Sequence, residues 1–63
     1  MRNRIAALRA DRGLTQAALA QRIDVSRQTI NAIETGKFDP SLPVAFRLAR
    51  EFDLAIEEIF LAE

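Results

Sequence analysis

The segment 14–37 constrains the fold of this chain more than any other part, and it has the sequence LTQAALAQRIDVSRQTINAIETGK. Thr15 and Ser26 are each placed to cap the start of a short helix, since a hydroxyl can accept a hydrogen bond from a free backbone N–H group of the first turn. Gly36 is placed to end the second helix, because glycine adopts a left-handed backbone at no steric cost. Only residues 23–25 lie between the two helices, so the sequence predicts a tight turn there.

The second helix of this pair has one apolar face and one mostly polar face. At about 100° per residue, Ile30 and Ile33 lie on the same side of the helix. The other side carries Gln28, Asn31, Ala32 and Thr35, with Arg27 in the first turn. Isoleucines at this spacing pack into a core, whereas arginine, glutamine and asparagine can hydrogen-bond base edges in the major groove. The segment of about 15–34 is therefore a candidate helix-turn-helix whose second helix contacts DNA.

The chain resembles the lambda-repressor-like, or Xre-type, DNA-binding domains of bacteria and phages. The matching residues are L-T-Q at 14–16, L-A at 19–20, V-S-R-Q-T-I at 25–30, I-E-x-G-K at 33–37 and P-S-L at 40–42. Their order and spacing cover nearly the whole chain. The resemblance implies a compact all-α domain of five helices, one domain over residues 1–63, with the helix-turn-helix formed by its second and third helices.

Two sets of candidate DNA contacts follow. We expect base contacts from the outer face of the third helix, at Arg27, Gln28, Asn31 and Ala32. We expect phosphate contacts from neighbouring hydroxyl, amide and ammonium groups, at Thr15, Gln16, Ser26, Thr29, Thr35 and Lys37. The resemblance assigns a phosphate contact to the position of Gln16 in particular.

Each assignment has a simpler alternative. The alternative for Gln16, Arg27, Gln28 and Lys37 is that they are ordinary solvated surface side chains, and a threonine can hydrogen-bond its own helix instead of a phosphate. Ala32 departs from the resembled family, which often has a polar residue there. A methyl group offers only apolar contact, for example to the methyl group of thymine, so the base preference stays open.

Charged residues also have predicted structural roles. Similar domains join the positions of Arg9 and Glu34 by an ion pair, which would tie the first helix to the third. The alternative is two independent exposed charges, which contribute little to stability. Asp24 and Asp53 stand where the resembled domains usually have glycine, and we expect left-handed turns there because aspartate tolerates that conformation better than most residues.

Cysteine and histidine are both absent from the sequence. Disulfides and thiolate metal sites are therefore excluded, and the commonest metal ligand and general base are missing. The few serine and threonine hydroxyls lie in no recognisable nucleophile motif. We accordingly expect no enzymatic activity, no metal, no cofactor and no small-molecule substrate.

The formal net charge is zero, but the charges are unevenly distributed. Residues 1–37 hold seven basic and three acidic side chains, whereas residues 38–63 hold two basic and six acidic ones. The positive half contains the candidate helix-turn-helix, which favours double-stranded DNA as the partner. No apolar run approaches the roughly 20 residues of a membrane span, and the charged N-terminus is unlike a signal peptide, so we expect a cytoplasmic protein.

Three further helices complete the assignment. The first is predicted at about 3–12 and ends before Gly13. After a loop at 36–40, Ser41 caps a fourth helix, and a short fifth helix follows at about 56–60. The fourth helix has an apolar stripe of Leu42, Ala45, Leu48, Ala49 and Phe52. We see no strand of ordinary length.

The tail of about 54–63 carries more apolar side chains than so small a domain can easily cover. We expect Leu54, Ile56 and Ile59 to close the core, and Ile56 together with the remaining side chains to form a dimer interface. The candidate interface residues are Ile56, Phe60, Leu61 and Phe46. The alternative is that all of them belong to the core. In short relatives the chain ends pair as a two-stranded ribbon, which here implies pairing of 1–3 with 60–62.

The function that these features predict is a sequence-specific, DNA-binding transcription regulator. We expect a homodimer and a repressor that binds an inverted-repeat operator. The alternative is an antitoxin-like module that binds a protein partner and whose DNA binding is secondary. Nothing in the chain resembles a disordered toxin-neutralising tail, which favours the regulator.

Overall fold

The computed structural model describes residues 1–61. In chain order the elements are β1 (Arg2–Asn3), α1 (Ile5–Arg12), α2 (Gln16–Arg22), α3 (Arg27–Glu34), α4 (Leu42–Phe52), α5 (Ile56–Ile59) and β2 (Phe60–Leu61). These helices confirm the predicted all-α class and the helix-turn-helix at α2 and α3. No helix in the described part of the chain is long and apolar enough to cross a membrane.

The helix starts follow the predicted capping residues. Thr15 Oγ1 accepts a hydrogen bond from the backbone N–H of Ala18 at 3.0 Å. Ser26 Oγ accepts from Thr29 N at 3.1 Å, and Ser41 Oγ accepts in the same way at the start of α4. Such caps satisfy N–H groups that have no partner inside the helix, and each typically stabilises the fold by about 1 kcal/mol.

The two aspartate turns are left-handed, as predicted. Asp24 has φ of 60° between α2 and α3, and Asp53 has φ of 55° after α4. Their backbones still make the hydrogen bonds of a glycine-type helix end, since the N–H of Val25 bonds to Ala20 O and the N–H of Leu54 bonds to Ala49 O, both at 3.0 Å. The turns therefore form without glycine.

The two ends of the described chain meet in a small antiparallel sheet. Arg2 lies opposite Leu61, and Asn3 lies opposite Phe60. This confirms the predicted pairing of the ends over these four residues, and Ala62 lies outside the described residues. The sheet places the N-terminal segment beside the end of α5.

This pairing corrects two predicted helix boundaries. α1 begins at Ile5 rather than Asn3, and α5 ends at Ile59 rather than Phe60. The helical pattern extends to Asn3 and Phe60, but their backbones pair with each other instead. Asn3 also holds the start of α1, because its Oδ1 accepts from Ile5 N at 3.2 Å while its Nδ2 donates to Ile33 O at 2.9 Å.

The core lies where the inner faces of the five helices meet. Its buried hydrophobic residues are Ile5, Leu19, Ala20, Ile23, Ile30, Ile33, Ala45, Leu48, Phe52, Ile59 and Phe60. Leu54 and Ile56 pack against this cluster and stay partly exposed. α3 supplies two isoleucines to the core, so its orientation is set by packing rather than by its polar residues.

Two apolar side chains lie elsewhere than the sequence predicts. Leu42 is 64% exposed, because it is the first residue of α4 and the helix meets the core one turn later, at Ala45. Phe60 is only 6% exposed, because successive residues of a strand point to opposite sides and β2 turns this ring inward. Phe60 is therefore a core residue and not an exposed member of the predicted dimer interface.

Candidate nucleic-acid interface

The two faces of α3 differ as its sequence predicts. Ile30 and Ile33 are 0% and 1% exposed, and they fix the helix against the core. Arg27, Gln28 and Asn31 are exposed on the outer side. Because the helix is anchored by buried side chains, these polar groups project from a rigid support rather than from a mobile loop.

Six side chains around the outer face of α3 line one open depression of about 450 Å³. They are Gln16, Arg27, Gln28, Asn31, Ala32 and Lys37. The structure thus brings together all four predicted base contacts and two of the six predicted phosphate contacts. We call this surface the recognition face.

The chemistry of the recognition face suits an anionic partner with hydrogen-bonding edges. Arg27 and Lys37 supply positive charge, and no carboxylate is among the described residues that line the depression. Arginine can pair with guanine O6 and N7, while the amides of Gln28 and Asn31 can pair with adenine N6 and N7. Ala32 adds a small apolar surface between them.

The four remaining candidate phosphate contacts do not line the depression. Thr15 and Ser26 are exposed caps whose hydroxyls already accept from the backbone. The hydroxyls of Ser26 and Thr29 lie 2.9 Å apart, and Thr35 Oγ1 donates to Asn31 O at 2.9 Å. All four hydroxyls are engaged with their own helices, and for Thr29 and Thr35 this is the alternative that the sequence left open.

The ion pair expected between Arg9 and Glu34 is present and has two hydrogen bonds. Arg9 Nε donates to Glu34 Oε2 at 2.6 Å, and Nη2 donates to Oε1 at 3.0 Å. Arg9 Nη1 also donates to Leu14 O at 2.9 Å, at the turn between α1 and α2. The side chains are 18% and 8% exposed, so this guanidinium ties three parts of the fold together away from bulk water.

The electrostatics of this pair keep Arg9 charged. The hydrogen bond to Glu34 raises the pKa of Arg9 above its ordinary value, against the opposing effect of desolvation. Arginine is already protonated throughout the neutral range. The guanidinium therefore remains a full counter-charge for Glu34 throughout the neutral pH range.

One contact in this region was not predicted from the sequence. Gln16 Nε2 donates to Glu34 Oε1 at 3.2 Å, so the carboxylate that pairs with Arg9 also holds a side chain of the recognition face. The two residues are 18 positions apart and meet only because α2 packs across α3. No local sequence pattern specifies this contact.

A second surface of the protein is apolar. An open groove of about 420 Å³ lies between α4, α5 and the sheet, and most of its lining is hydrophobic. The apolar lining residues are Met1, Pro40, Leu42, Ala45, Ile56, Phe60 and Leu61. Two of the predicted dimer residues, Ile56 and Leu61, are partly exposed on its walls, while Phe60 forms buried floor.

Phe46, the fourth predicted dimer residue, lies outside the groove. It is 50% exposed one turn after Leu42 on α4, and it lines a neighbouring depression with Arg50 and Glu58. Leu42 and Phe46 are spaced as neighbours on one helix face. We call the groove together with Phe46 the apolar face.

Comparison with known proteins agrees with this architecture. The helix-turn-helix family HTH_3 matches residues 5–59. An uncharacterized HTH-type transcriptional regulator of Methanocaldococcus jannaschii is 52% identical over 63 residues, which cover 100% of this chain and 96% of that protein. One from Archaeoglobus fulgidus is 46% identical over 61 residues, covering 97% of this chain and 87% of its own length.

A bacterial relative extends the comparison. The uncharacterized HTH-type transcriptional regulator YgzD of Bacillus subtilis is 38% identical over 63 residues, which cover 100% of this chain and 96% of that protein. The chain therefore belongs to the lambda-repressor-like, or Xre-type, helix-turn-helix family.

Proposed function

We propose that this protein is a sequence-specific, DNA-binding transcription regulator that inserts α3 into the major groove. The proposal rests on the recognition face. There Arg27, Gln28 and Asn31 project from a helix whose other side is fully buried. Hydrogen-bonding side chains of this kind are those that distinguish base pairs in the major groove. The naming of several full-length relatives as transcriptional regulators supports the same function.

Phosphate contacts come from the rim of the recognition face. Gln16 and Lys37 line the same depression as the base-contacting residues, at the start of α2 and in the loop after α3. Contacts on both sides of α3 would hold the helix in a fixed register along the groove. The hydroxyls of Thr15, Ser26, Thr29 and Thr35 join these contacts when DNA is bound.

The regulator acts as a homodimer on an inverted-repeat operator. The apolar face supports this assembly, because Leu42 and Phe46 leave 64% and 50% of their surfaces exposed in a protein with a small core. In a two-fold dimer the same face of each copy meets its counterpart, and each α3 enters one half-site. Half-sites for such an arrangement lie about one helical turn, roughly 10 base pairs, apart.

Repression is the regulatory outcome that we propose. A dimer of this size on an operator that overlaps a promoter would exclude polymerase from the same DNA. Binding of this kind requires no enzymatic chemistry and no cofactor.

Selection of bound sites from random duplex DNA tests the proposal. We expect an inverted repeat with half-sites about one helical turn apart, and lower transcription in vitro from a promoter that contains the repeat. Recovery of no preferred sequence would contradict sequence-specific binding. Recovery of single half-sites would contradict the dimer, and unchanged transcription would contradict repression.

A further inference from the structure

The Glu34 carboxylate lies at the junction between the ion pair and the recognition face. Its Oε1 accepts from two donors, Arg9 Nη2 at 3.0 Å and Gln16 Nε2 at 3.2 Å. The Glu34 side chain is 8% exposed, so water has little access to replace either donor. Gln16 is partly exposed, and its side chain lines the depression that contains Arg27 and Lys37.

The two ends of a glutamine amide have opposite hydrogen-bonding character, which makes its orientation important. The nitrogen carries two N–H donors, and the oxygen only accepts. A carboxylate can bond only the nitrogen, and a DNA phosphate has the same requirement. A freely rotating amide would present its oxygen to the phosphate in part of its conformations, and would lose rotamer freedom on binding.

We propose that Glu34 is a positioning residue for DNA binding, which holds the amide nitrogen of Gln16 at the recognition face with one N–H bonded to its own carboxylate and the second N–H available for a phosphate oxygen. This inference rests on the proposed DNA-binding function. It gives the ion pair a second role besides joining α1 to α3.

Arg9 makes this arrangement compatible with a nearby phosphate. An unpaired carboxylate beside the DNA backbone would repel it, but two hydrogen bonds from the guanidinium, at 2.6 and 3.0 Å, neutralise Glu34. Arg9 itself is not among the residues that line the depression. Its loss should therefore weaken the fold and the charge balance without freeing the Gln16 amide.

A double-mutant cycle distinguishes positioning from a purely structural role. Gln16→Ala is made in three backgrounds: the parent, Glu34→Met and Arg9→Met. The two methionine variants remove opposite ends of the same ion pair and keep aliphatic bulk. Affinity for the selected operator is measured by fluorescence anisotropy at a temperature at which circular dichroism shows every protein folded.

In the parent, Gln16→Ala should weaken binding about tenfold, as expected for the loss of a hydrogen bond to a charged group. In the Arg9→Met background the loss should again be about tenfold. In the Glu34→Met background it should fall below about twofold, since the amide is no longer held. If Glu34→Met fails to fold, Glu34→Asp replaces it, because the shorter side chain withdraws the carboxylate from Gln16 while Arg9 can still reach it.

If Gln16→Ala weakens DNA affinity by the same factor in all three backgrounds, the inference is overturned and the ion pair has a structural role only. An unchanged affinity on Gln16→Ala in the parent would also overturn it. Failure of the proposed function has a different signature, because then the parent protein itself would bind no selected duplex.

Discussion

The recognition face and the apolar face use helices in opposite ways. On α3 the apolar side chains are buried and the polar ones project outward, so the exposed surface can form hydrogen bonds. On α4 the core is met by Ala45, Leu48 and Phe52, and large apolar side chains are left on the outer side as well. A polar outer face suits hydrated DNA, while an apolar one gains free energy when a second protein surface covers it.

This difference predicts that substitutions on the two faces affect different measurements. Changes on the recognition face should alter DNA affinity and base preference while the fold and assembly persist. Changes on the apolar face should alter assembly first, and DNA affinity only through the loss of the second subunit. Substitutions of the buried residues beneath either face should alter the stability of the fold.

The free energy of unfolding should distinguish the buried floor of the apolar groove from its exposed rim. Phe60→Ala should lower the free energy of unfolding by about 3–5 kcal/mol, because it leaves a cavity under the sheet. Leu61→Ala, on the same strand but partly exposed, is the matched control and should cost clearly less. Urea denaturation followed by circular dichroism measures both. Equal effects would mean that Phe60 is not a core residue.

Leu42→Glu should break the proposed dimer while each copy stays folded. The side chain is 64% exposed at the first turn of α4, where a negative charge is tolerated. Loss of the second subunit should weaken operator binding about 100-fold. Gln21→Glu adds the same charge at an exposed position outside both faces and should leave assembly unchanged. Sedimentation measures the mass, and a monomeric parent at tens of micromolar would contradict this prediction.

Arg9→Met tests how much the Arg9–Glu34 ion pair beneath the recognition face stabilises the fold. Stability should fall by about 1.5–3 kcal/mol, as expected for charge-assisted hydrogen bonds away from water. Arg22→Met is the control, since the Arg22–Glu51 pair is 53% and 18% exposed and should contribute no more than about 1 kcal/mol.

The pH dependence of that loss follows from the raised pKa of Arg9. A group whose pKa is higher in the folded state contributes fully below its unfolded pKa and loses its contribution only above the folded one. The difference between parent and Arg9→Met should therefore be constant from about pH 6 to pH 9, well below the pKa of any arginine. A difference that decreases with rising pH across this range would contradict the assignment.

Asn31→Ala should reduce the preference for the selected operator by about 1–3 kcal/mol, the range for a lost bidentate base contact. Binding to unrelated duplex DNA should hardly change, since phosphate contacts provide it. Competition anisotropy with operator and random duplex gives both values. Equal losses of affinity for the operator and for random duplex would mean that Asn31 contacts a phosphate rather than a base.

The smallest effect is expected for Lys37→Ala, on the rim of the recognition face. Affinity should fall on all sequences alike, and the slope of log K against log salt should decrease by about 0.9 for one lost phosphate contact. A changed base preference at an unchanged slope would contradict the phosphate assignment.

Local rules account for what was predictable in this fold. Hydroxyl caps at Thr15, Ser26 and Ser41, and left-handed turns at Asp24 and Asp53, depend on a few neighbouring residues, and the structure has all of them. The buried and exposed sides of α3 follow from its helical period alone. The composition of the recognition face was therefore accessible before its geometry was known.

Tertiary contacts account for what was not predictable. Helical period places Leu42 with the core stripe of α4, but the helix begins one turn before it reaches the core at Ala45. Phe60 continues the pattern of α5, yet pairing with Asn3 converts it to a strand residue and buries its ring. The bond between Gln16 and Glu34 depends on how closely α2 crosses α3, which no local pattern specifies.

We propose that the outer face of α3 selects the DNA sequence. This is tested by repeating the selection from random duplex DNA with Gln28→Ala and comparing the preferred site with that of the parent. We expect the preference to be lost at one base-pair position in each half-site, symmetrically, and kept elsewhere. An identical preferred site for the two proteins would contradict it.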